Sequence, residues 1–269
     1  MYKDKKIAVI VPAYNEEKVI EMTANALLAS DYPKDKLEII VVDDGSIDNT
    51  FNIASKIKGI RTFTMGTNRG KRFAFAFGVE KSKGDIVICV DSDTIVAKDA
   101  IRLLVQPFSD ENVFCACGHG EVLNKGENTL TKLQRGWYAS GFRILKAMES
   151  NFNMVTCCSG LLAAYRKEGI RIVINEWLNE TFLGRPIIDS DDRRMTNLML
   201  RLRTYALSSE GEDRTLTSVA MSKSYTKSLY QSNAVAYTVV PSTLKKFVQQ
   251  QLRWGRGSFT DLKTMTLRE

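Results

Sequence analysis

Short apolar runs alternate with longer mixed stretches from Lys6 to Val90. Ile7 to Val11, Leu37 to Val42, Ile60 to Thr64 and Ile86 to Val90 are rich in β-branched residues, and the segments between them carry apolar positions at helical spacing. This repetition predicts a parallel sheet with crossover helices. Pro12 and Asn15 close the first run, and Glu16 and Glu17 are expected in the first turn of a helix carrying Val19, Ile20, Ala24 and Leu27. Further on, Ile101 to Val105 reads as a helix and Val113 to Cys117 as a strand. Leu130 to Met148 reads as a long amphipathic helix whose Trp137, Tyr138 and Phe142 are expected in the core rather than as a sugar platform. The small-residue turn Cys157 to Gly160 suits the floor of a cleft and precedes a buried strand, Leu161 to Tyr165. After a strand from Ala234 to Val240, a final helix starts at Pro241. Leu244, Phe247, Val248 and Leu252 form its expected core stripe, with Gln250, Arg253 and Trp254 on another face.

Polar residues gather where the strands end. Ile86 to Val90 stops at Asp91-Ser-Asp93, whose alternate carboxylates can converge on one divalent cation, Mg²⁺ or Mn²⁺ rather than zinc, or on a metal and a ribose; a polar strand exit is the plain alternative. Asp43-Asp44-Gly45-Ser46 reads as a tight turn, or as a turn whose unpaired carboxylate accepts hydrogen bonds from a base or ribose. Asn68 to Arg72 opens a helix with three cations, which oppose the helix dipole and ask for an external anion such as a diphosphate; a solvated basic turn is the alternative. Two similar acidic stretches, Ser190 to Asn197 and Gly211 to Thr217, each open a helical pattern and each could be a simple cap.

Composition narrows the class. With 269 residues, 44% apolar, 26% charged and a net charge of +7, the chain is an ordinary globular α/β composition whose basic surplus suits a phosphate-bearing substrate or an anionic membrane face. No compact Lys/Arg block supports nucleic acid. The five cysteines are odd in number and lack a Cys-x-x-Cys pair, so they read as reduced and cytosolic. Cys115, Cys117 and His119 share one face of a candidate strand, but a structural zinc site needs a fourth ligand. No apolar run reaches the length of a membrane span, so the chain is expected to be soluble.

Taken in order, Pro12 to Glu16, Asp43 to Ser46, Arg69 to Arg72, Asp91 to Asp93, Gly211 to Arg214 and Gln250 to Trp254 resemble the family 2 processive β-glycosyltransferases, among them hyaluronan, chitin and chitooligosaccharide synthases. The resemblance implies a GT-A fold, with a central mostly parallel sheet and helices on both faces. It makes residues 1–269 one catalytic domain, 1–110 the nucleotide-sugar half and 111–269 the acceptor half. It implies inverting, metal-dependent transfer from a UDP-sugar, UDP-GlcNAc and/or UDP-GlcA, to a growing β-linked polysaccharide. A chitooligosaccharide-type N-acetylglucosaminyltransferase and a silent UDP-sugar binding module are the alternatives. By resemblance, Tyr14 and Asp44 hold the uridine with Glu16 close by, and Lys71 and Arg72 help hold the diphosphate. Asp91 meets the donor ribose or sugar, and Asp93 meets the Mn²⁺ or Mg²⁺. Gln250 belongs to the same motif as Arg253, which contacts the diphosphate, and Trp254, which stacks on the acceptor. The second residue of an acidic pair is the general base.

The acidic motif is doubled. Asp213 after Glu212 is expected to be the base, because Gly211 to Arg214 stands at the family's distance before Trp254. Asp192 is then expected on an insertion, with Asp191 and Asp192 neutralised by Arg193 and Arg194, although Phe182-Leu-Gly184 before it argues the other way. Relatives of this branch carry membrane helices on both sides of the catalytic domain. The chain is therefore expected to be a truncated form or a soluble offshoot, working in its complete form at the cytoplasmic face of a membrane.

Overall fold

The computed structural model describes residues 5–187, 191–202 and 226–266. The first apolar runs are strands β1 (Ile7–Ala13), β2 (Leu37–Asp43), β3 (Arg61–Thr64) and β4 (Ile86–Cys89), separated by helices α1 (Ile20–Leu28), α2 (Thr50–Ser55) and α3 (Lys71–Lys81). Then follow β5 (Ile95–Val96), α4 (Ala100–Leu104), β6 (Val113–Val122), a helical excursion comprising α5 (Thr129–Ala139), a π-turn segment (Ser140–Lys146) and α6 (Ala147–Asn151), and β7 (Ala163–Arg166). The remainder is α7 (Lys167–Asn179), the small hairpin β8 (Thr181–Phe182) and β9 (Arg185–Pro186), α8 (Asp191–Leu200), β10 (Lys227–Thr238) and α9 (Leu244–Thr266).

These strands form one eight-stranded sheet in the order β3-β2-β1-β4-β7-β6-β10-β5. The first four run parallel, as the repeated strand-helix pattern requires. The far half is mixed: β7 runs antiparallel to both β4 and β6, β10 is parallel to β6, and β5 is antiparallel to β10. Residues of β1 alternate between two cores. Val9 and Val11 face α1 and α4 through Ile20, Leu27, Ile101 and Leu104, whereas Ile10 joins Ile40 and Val42 against Phe75 and Val79 of α3 and Trp177 of α7. Each such side chain, fully withdrawn from water, contributes roughly 1.5–3 kcal/mol of transfer free energy.

Several sequence-based expectations are corrected. Helix α1 begins at Ile20, and the carbonyl of Glu16 accepts from the amides of Val19 and Ile20, so Glu16 and Glu17 lie in the preceding turn. Strand β6 runs on to Val122, because the buried Gly118 and Gly120 leave room for Leu162, Leu161 and Phe142 where side chains would stand. Phe142 is buried, but Trp137 is 53% exposed and meets Phe247 of α9 with ring centroids 6.2 Å apart. The stripe of α9 is not core: Leu244 is 67% and Leu252 55% exposed. A helical repeat of apolar residues specifies a face; it does not specify what covers that face.

Candidate active site

The exits of β1 and β2 are stitched together at the carboxyl edge of the sheet, where open α/β sheets present ligand sites. Asn15, at φ 57°, donates its amide to Ser46 Oγ at 2.9 Å and accepts the amide of Ile47 on Oδ1 at 3.0 Å. The amide of Glu16 donates to Thr50 Oγ1 at 2.7 Å. Gly45 is required twice over: its φ is +73°, and a Cβ there would stand 2.5 Å from the carbonyl carbon of Thr67. That close approach brings Asp44 to the loop in front of α3. Asp44, 3% exposed, accepts the amides of Arg69 at 2.9 Å and Gly70 at 2.8 Å. The expected unpaired acceptor is thus paired, and its carboxylate anchors the N-terminal approach to α3.

The first two cations of α3 face carboxylates of the protein itself. Lys71 Nζ lies 2.6 Å from Asp91 Oδ1 and 3.6 Å from Asp192 Oδ1. Burial works against its ammonium, yet Asp192 and Asp91 hold its pKa well above the ordinary lysine value. Asp192 Oδ2 in turn accepts the amide of Gly160 at 2.7 Å. A Cβ on Gly160 would stand 2.5 Å from Lys71 Nζ and 2.6 Å from Asp192 Oδ1, so the turn Cys157 to Gly160 does floor this cluster. Arg72 turns inward, with a side chain only 5% exposed. It donates from Nε at 2.8 Å and Nη2 at 2.5 Å to Asp191 Oδ1, and from Nη1 at 2.9 Å to the carbonyl of Trp177. The indole of Trp177 returns a hydrogen bond to the Asp191 carbonyl at 3.2 Å.

The acidic start of α8 is matched from α3, Asp192 lying against Lys71 and Asp191 against Arg72. Asp191 pairs with Arg72, and Arg194 reaches Glu180 at 2.8 Å. Helix α8 packs on α7 and on β6, with Met195, Leu198 and Met199 in the second core.

Beside this network, burial and neighbouring carboxylates act together on Asp93 and Glu16. Burial, then the charge of Asp91, raises the pKa of Asp93; burial, then Asp93, raises that of Glu16. Tyr14 stands at the rim, 42% exposed. On α9, Arg253 and Trp254 are exposed, and the amide oxygen of Gln250 is buried without a hydrogen-bond partner among the described residues. Glu212 and Asp213 lie outside the described residues. Sequence reasoning missed the amide of Gly160 and the Arg72–Asp191 link. The small-residue run before Leu161 signalled the first, but no local pattern signals a pair 119 residues apart.

Among the described residues no three His, Cys, Asp or Glu side chains enclose a metal ion. Carboxylate oxygens suit a hard divalent cation, and the raised pKa values of Asp93 and Glu16 mark negative charge that a cation held at Asp93 would relieve.

A strand-end Asp-x-Asp, a lysine shared between carboxylates and a second acidic pair at a helix start thus meet at the carboxyl edge of the sheet. The model of the family "Glycosyl transferase family 2" matches residues 8–172. The chain belongs to glycosyl transferase family 2. It is 34% identical over 269 residues to the hyaluronan synthase of Streptococcus pyogenes, covering 96% of this chain and 58% of that protein. It is 30% identical over 260 residues to an N-acetylglucosaminyltransferase of Neorhizobium galegae, covering 95% of this chain and 55% of that one. The chain thus spans little more than half the length of these curated relatives. Among solved structures, the mannosyltransferase PcManGT from Pyrobaculum calidifontis, in complex with GDP-Man and Mn²⁺, aligns with a TM-score of 0.64 at 20% identity over 98% of this chain and 65% of that one. S. aureus TarS 1-349 in complex with UDP-GlcNAc aligns with a TM-score of 0.56 at 21% identity over 88% and 59%. The fold of this glycosyltransferase domain is GT-A, as its resemblance implied.

Proposed function

We propose that this domain transfers a sugar from a UDP-sugar, with UDP-GlcNAc and UDP-GlcA the first donors to test, to the hydroxyl of a growing β-linked polysaccharide, with inversion at the anomeric carbon. The observation that carries the reading is the shared ammonium of Lys71, which links Asp91 at the end of β4 to Asp192 at the start of α8. A donor-side carboxylate and a candidate base then flank one space. In this reading Tyr14 and the Asp44 loop receive the uridine, and Asp91 and Lys71 orient the ribose, sugar and diphosphate. Arg253 approaches the diphosphate, and Trp254, beside Gln250, offers its ring to the acceptor. Asp93, with Glu16 nearby, would hold Mn²⁺ or Mg²⁺, which supplies positive charge against the departing diphosphate. Mn²⁺ beside a nucleotide sugar in the mannosyltransferase relative supports that cation.

Asp192 takes the proton from the acceptor hydroxyl; that oxygen forms its bond to the anomeric carbon as the bond from carbon to the diphosphate oxygen breaks and UDP leaves. We take Asp192 over Asp213 because Asp192 stands against Lys71 and Gly160 inside the cleft. Arg72, turned onto Asp191, serves the site by fixing the start of α8 rather than by touching the diphosphate. Among the described residues no helix is long and apolar enough to cross a membrane. Attachment to a membrane, at its cytoplasmic face, comes in this reading through segments outside these 269 residues. Calorimetric titration of UDP tests the donor half: affinity should depend on Mn²⁺, and Asp93→Asn should weaken binding mainly when the cation is present. Equal UDP affinity with Mn²⁺ and with chelator would refute it.

A further inference from the structure

A second cleft of the described residues lies outside the carboxylate cluster. A cavity of about 890 Å³ opens beside the ends of β6 and β10, within the roughly 300–1,000 Å³ of small-molecule sites. Its floor is built. His119, 3% exposed and the single histidine of the chain, places Nδ1 2.6 Å from Tyr230 Oη and Nε2 3.1 Å from Glu121 Oε1. Arg143 donates to the same Glu121 oxygen at 2.7 Å. Burial acts to raise the Glu121 pKa, but His119 and Arg143 together hold it below the usual carboxylate value, so this acid is ionised and internally matched. The other acid of the lining, Asp99, has Arg102 at 3.9 Å.

Two cations of the lining have no such match. Lys125 and Arg135 make no ion pair among the described residues, and both are exposed at the mouth. Between them and the floor lie groups suited to hydroxyls and sugar faces: Ser232 and Asn233, in the register shift of β10, and the ring of Tyr237. The cleft is also tied to the donor side. Tyr138, whose pKa is pushed up to about 12 by burial and then by Asp91 and Asp93, has its ring 6.0 Å from Phe142. Phe142 lies 5.5 Å from His119 and 6.4 Å from Tyr230. One aromatic layer thus separates the acidic cluster from this cleft.

We propose that the cleft between β6, β10 and α5 is a second saccharide site that binds a stretch of carboxylate-bearing polysaccharide, with Arg135 and Lys125 meeting its uronate groups. The inference rests on the polysaccharide reading above and adds the class of chain: acidic, with a carboxylate repeating along it. Uncompensated cations select anions, and a planar guanidinium accepts a carboxylate in a paired geometry. Sugar hydroxyls and apolar ring faces are met by Asn233, Ser232 and Tyr237. A free anion would need only the cations, so a length of sugar separates this proposal from a simple phosphate site.

The test uses the whole chain without donor. Calorimetry compares a tetrasaccharide alternating glucuronate with N-acetylglucosamine against chitotetraose, which is neutral and of equal length, at low and at high salt. The acidic tetrasaccharide should bind about tenfold more tightly than chitotetraose at low salt, the difference shrinking as salt screens the exposed cations. Arg135→Ala and Lys125→Ala should each weaken it several-fold while leaving Mn²⁺-dependent UDP binding unchanged, and Asp93→Asn should do the reverse. Equal affinity for the two tetrasaccharides, or acidic-tetrasaccharide binding that ignores both cation variants or follows Asp93→Asn, would overturn the proposal. If UDP binding proves independent of metal while the acidic tetrasaccharide still depends on Arg135, the donor reading falls and this site stands.

Discussion

Replacing Arg72 by Met tests whether the start of α8 is held by a buried ion pair. The side chains of Arg72 and Asp191 are 5% and 15% exposed, and the guanidinium makes three hydrogen bonds to α8 and α7, two to Asp191 and one to the carbonyl of Trp177. Its plane also lies over the Trp177 ring at 5.4 Å. Met keeps much of the volume but leaves buried Asp191 without its hydrogen-bonded counter-charge, with only the weaker pull of Lys71 remaining. Removing one partner of such a pair costs about 3–5 kcal/mol, which corresponds to a fall in Tm on the order of 10 °C for a domain of this size. The pH dependence gives a second reading. Burial already raises the Asp191 pKa against the opposing pull of Arg72, and without Arg72 it rises further. A carboxyl with a raised folded pKa binds its proton more tightly in the folded state, so its folded form gains stability as pH falls through the window between the two pKa values. The deficit of Arg72→Met should therefore shrink as pH falls from 7 toward 5, and Arg72→Met/Asp191→Asn should recover most of it at pH 7. Urea melts at both pH values measure this. A loss below about 1 kcal/mol at pH 7, or no recovery in the double variant, would refute the buried-pair reasoning.

Two further outcomes follow from the same geometry. Gly160→Ala should lower turnover by roughly tenfold or more with UDP affinity little changed, since its Cβ would displace the ends of Lys71 and Asp192 rather than the donor loops, and steady-state UDP release measures it. Because the pKa values of Asp93 and Glu16 are raised, by burial first and by neighbouring carboxylates next, Mn²⁺-dependent UDP affinity should begin to fall at a higher pH than ordinary carboxylates would dictate, and Asp91→Asn should move that loss to lower pH; titrations from pH 7.5 to 5 check both.

Strands β1, β2 and β4 were legible because each is buried on both faces, so β-branched runs bounded by turn residues had no rival reading, whereas the edge strand β3 was read from its place in the repeat. The strand-end carboxylates were legible for the same reason: a run that stops abruptly at Asp91 marks the sheet edge. What escaped was long-range. Asp44 reads as an open acceptor until Gly45 brings it against the amides of Arg69 and Gly70. The link from Arg72 to Asp191 of α8 leaves no local trace in the sequence. The doubled acidic motif could be ranked only by spacing, which favoured Asp213, whereas contact with Lys71 and Gly160 favours Asp192. Likewise the stripe of α9 was visible, but nothing in a helical period says whether protein or something outside the chain covers it.

The claim on which the account turns is that Asp192 removes the acceptor proton. Its most direct test is donor turnover, followed as UDP release with a saturating acceptor, for Asp192→Asn and Asp213→Asn side by side, with UDP affinity measured for each. Asp192→Asn should lower turnover by roughly 10² to 10⁴ while UDP affinity stays near normal, and Asp213→Asn should cost far less. A large loss in Asp213→Asn with Asp192→Asn near full activity would contradict it.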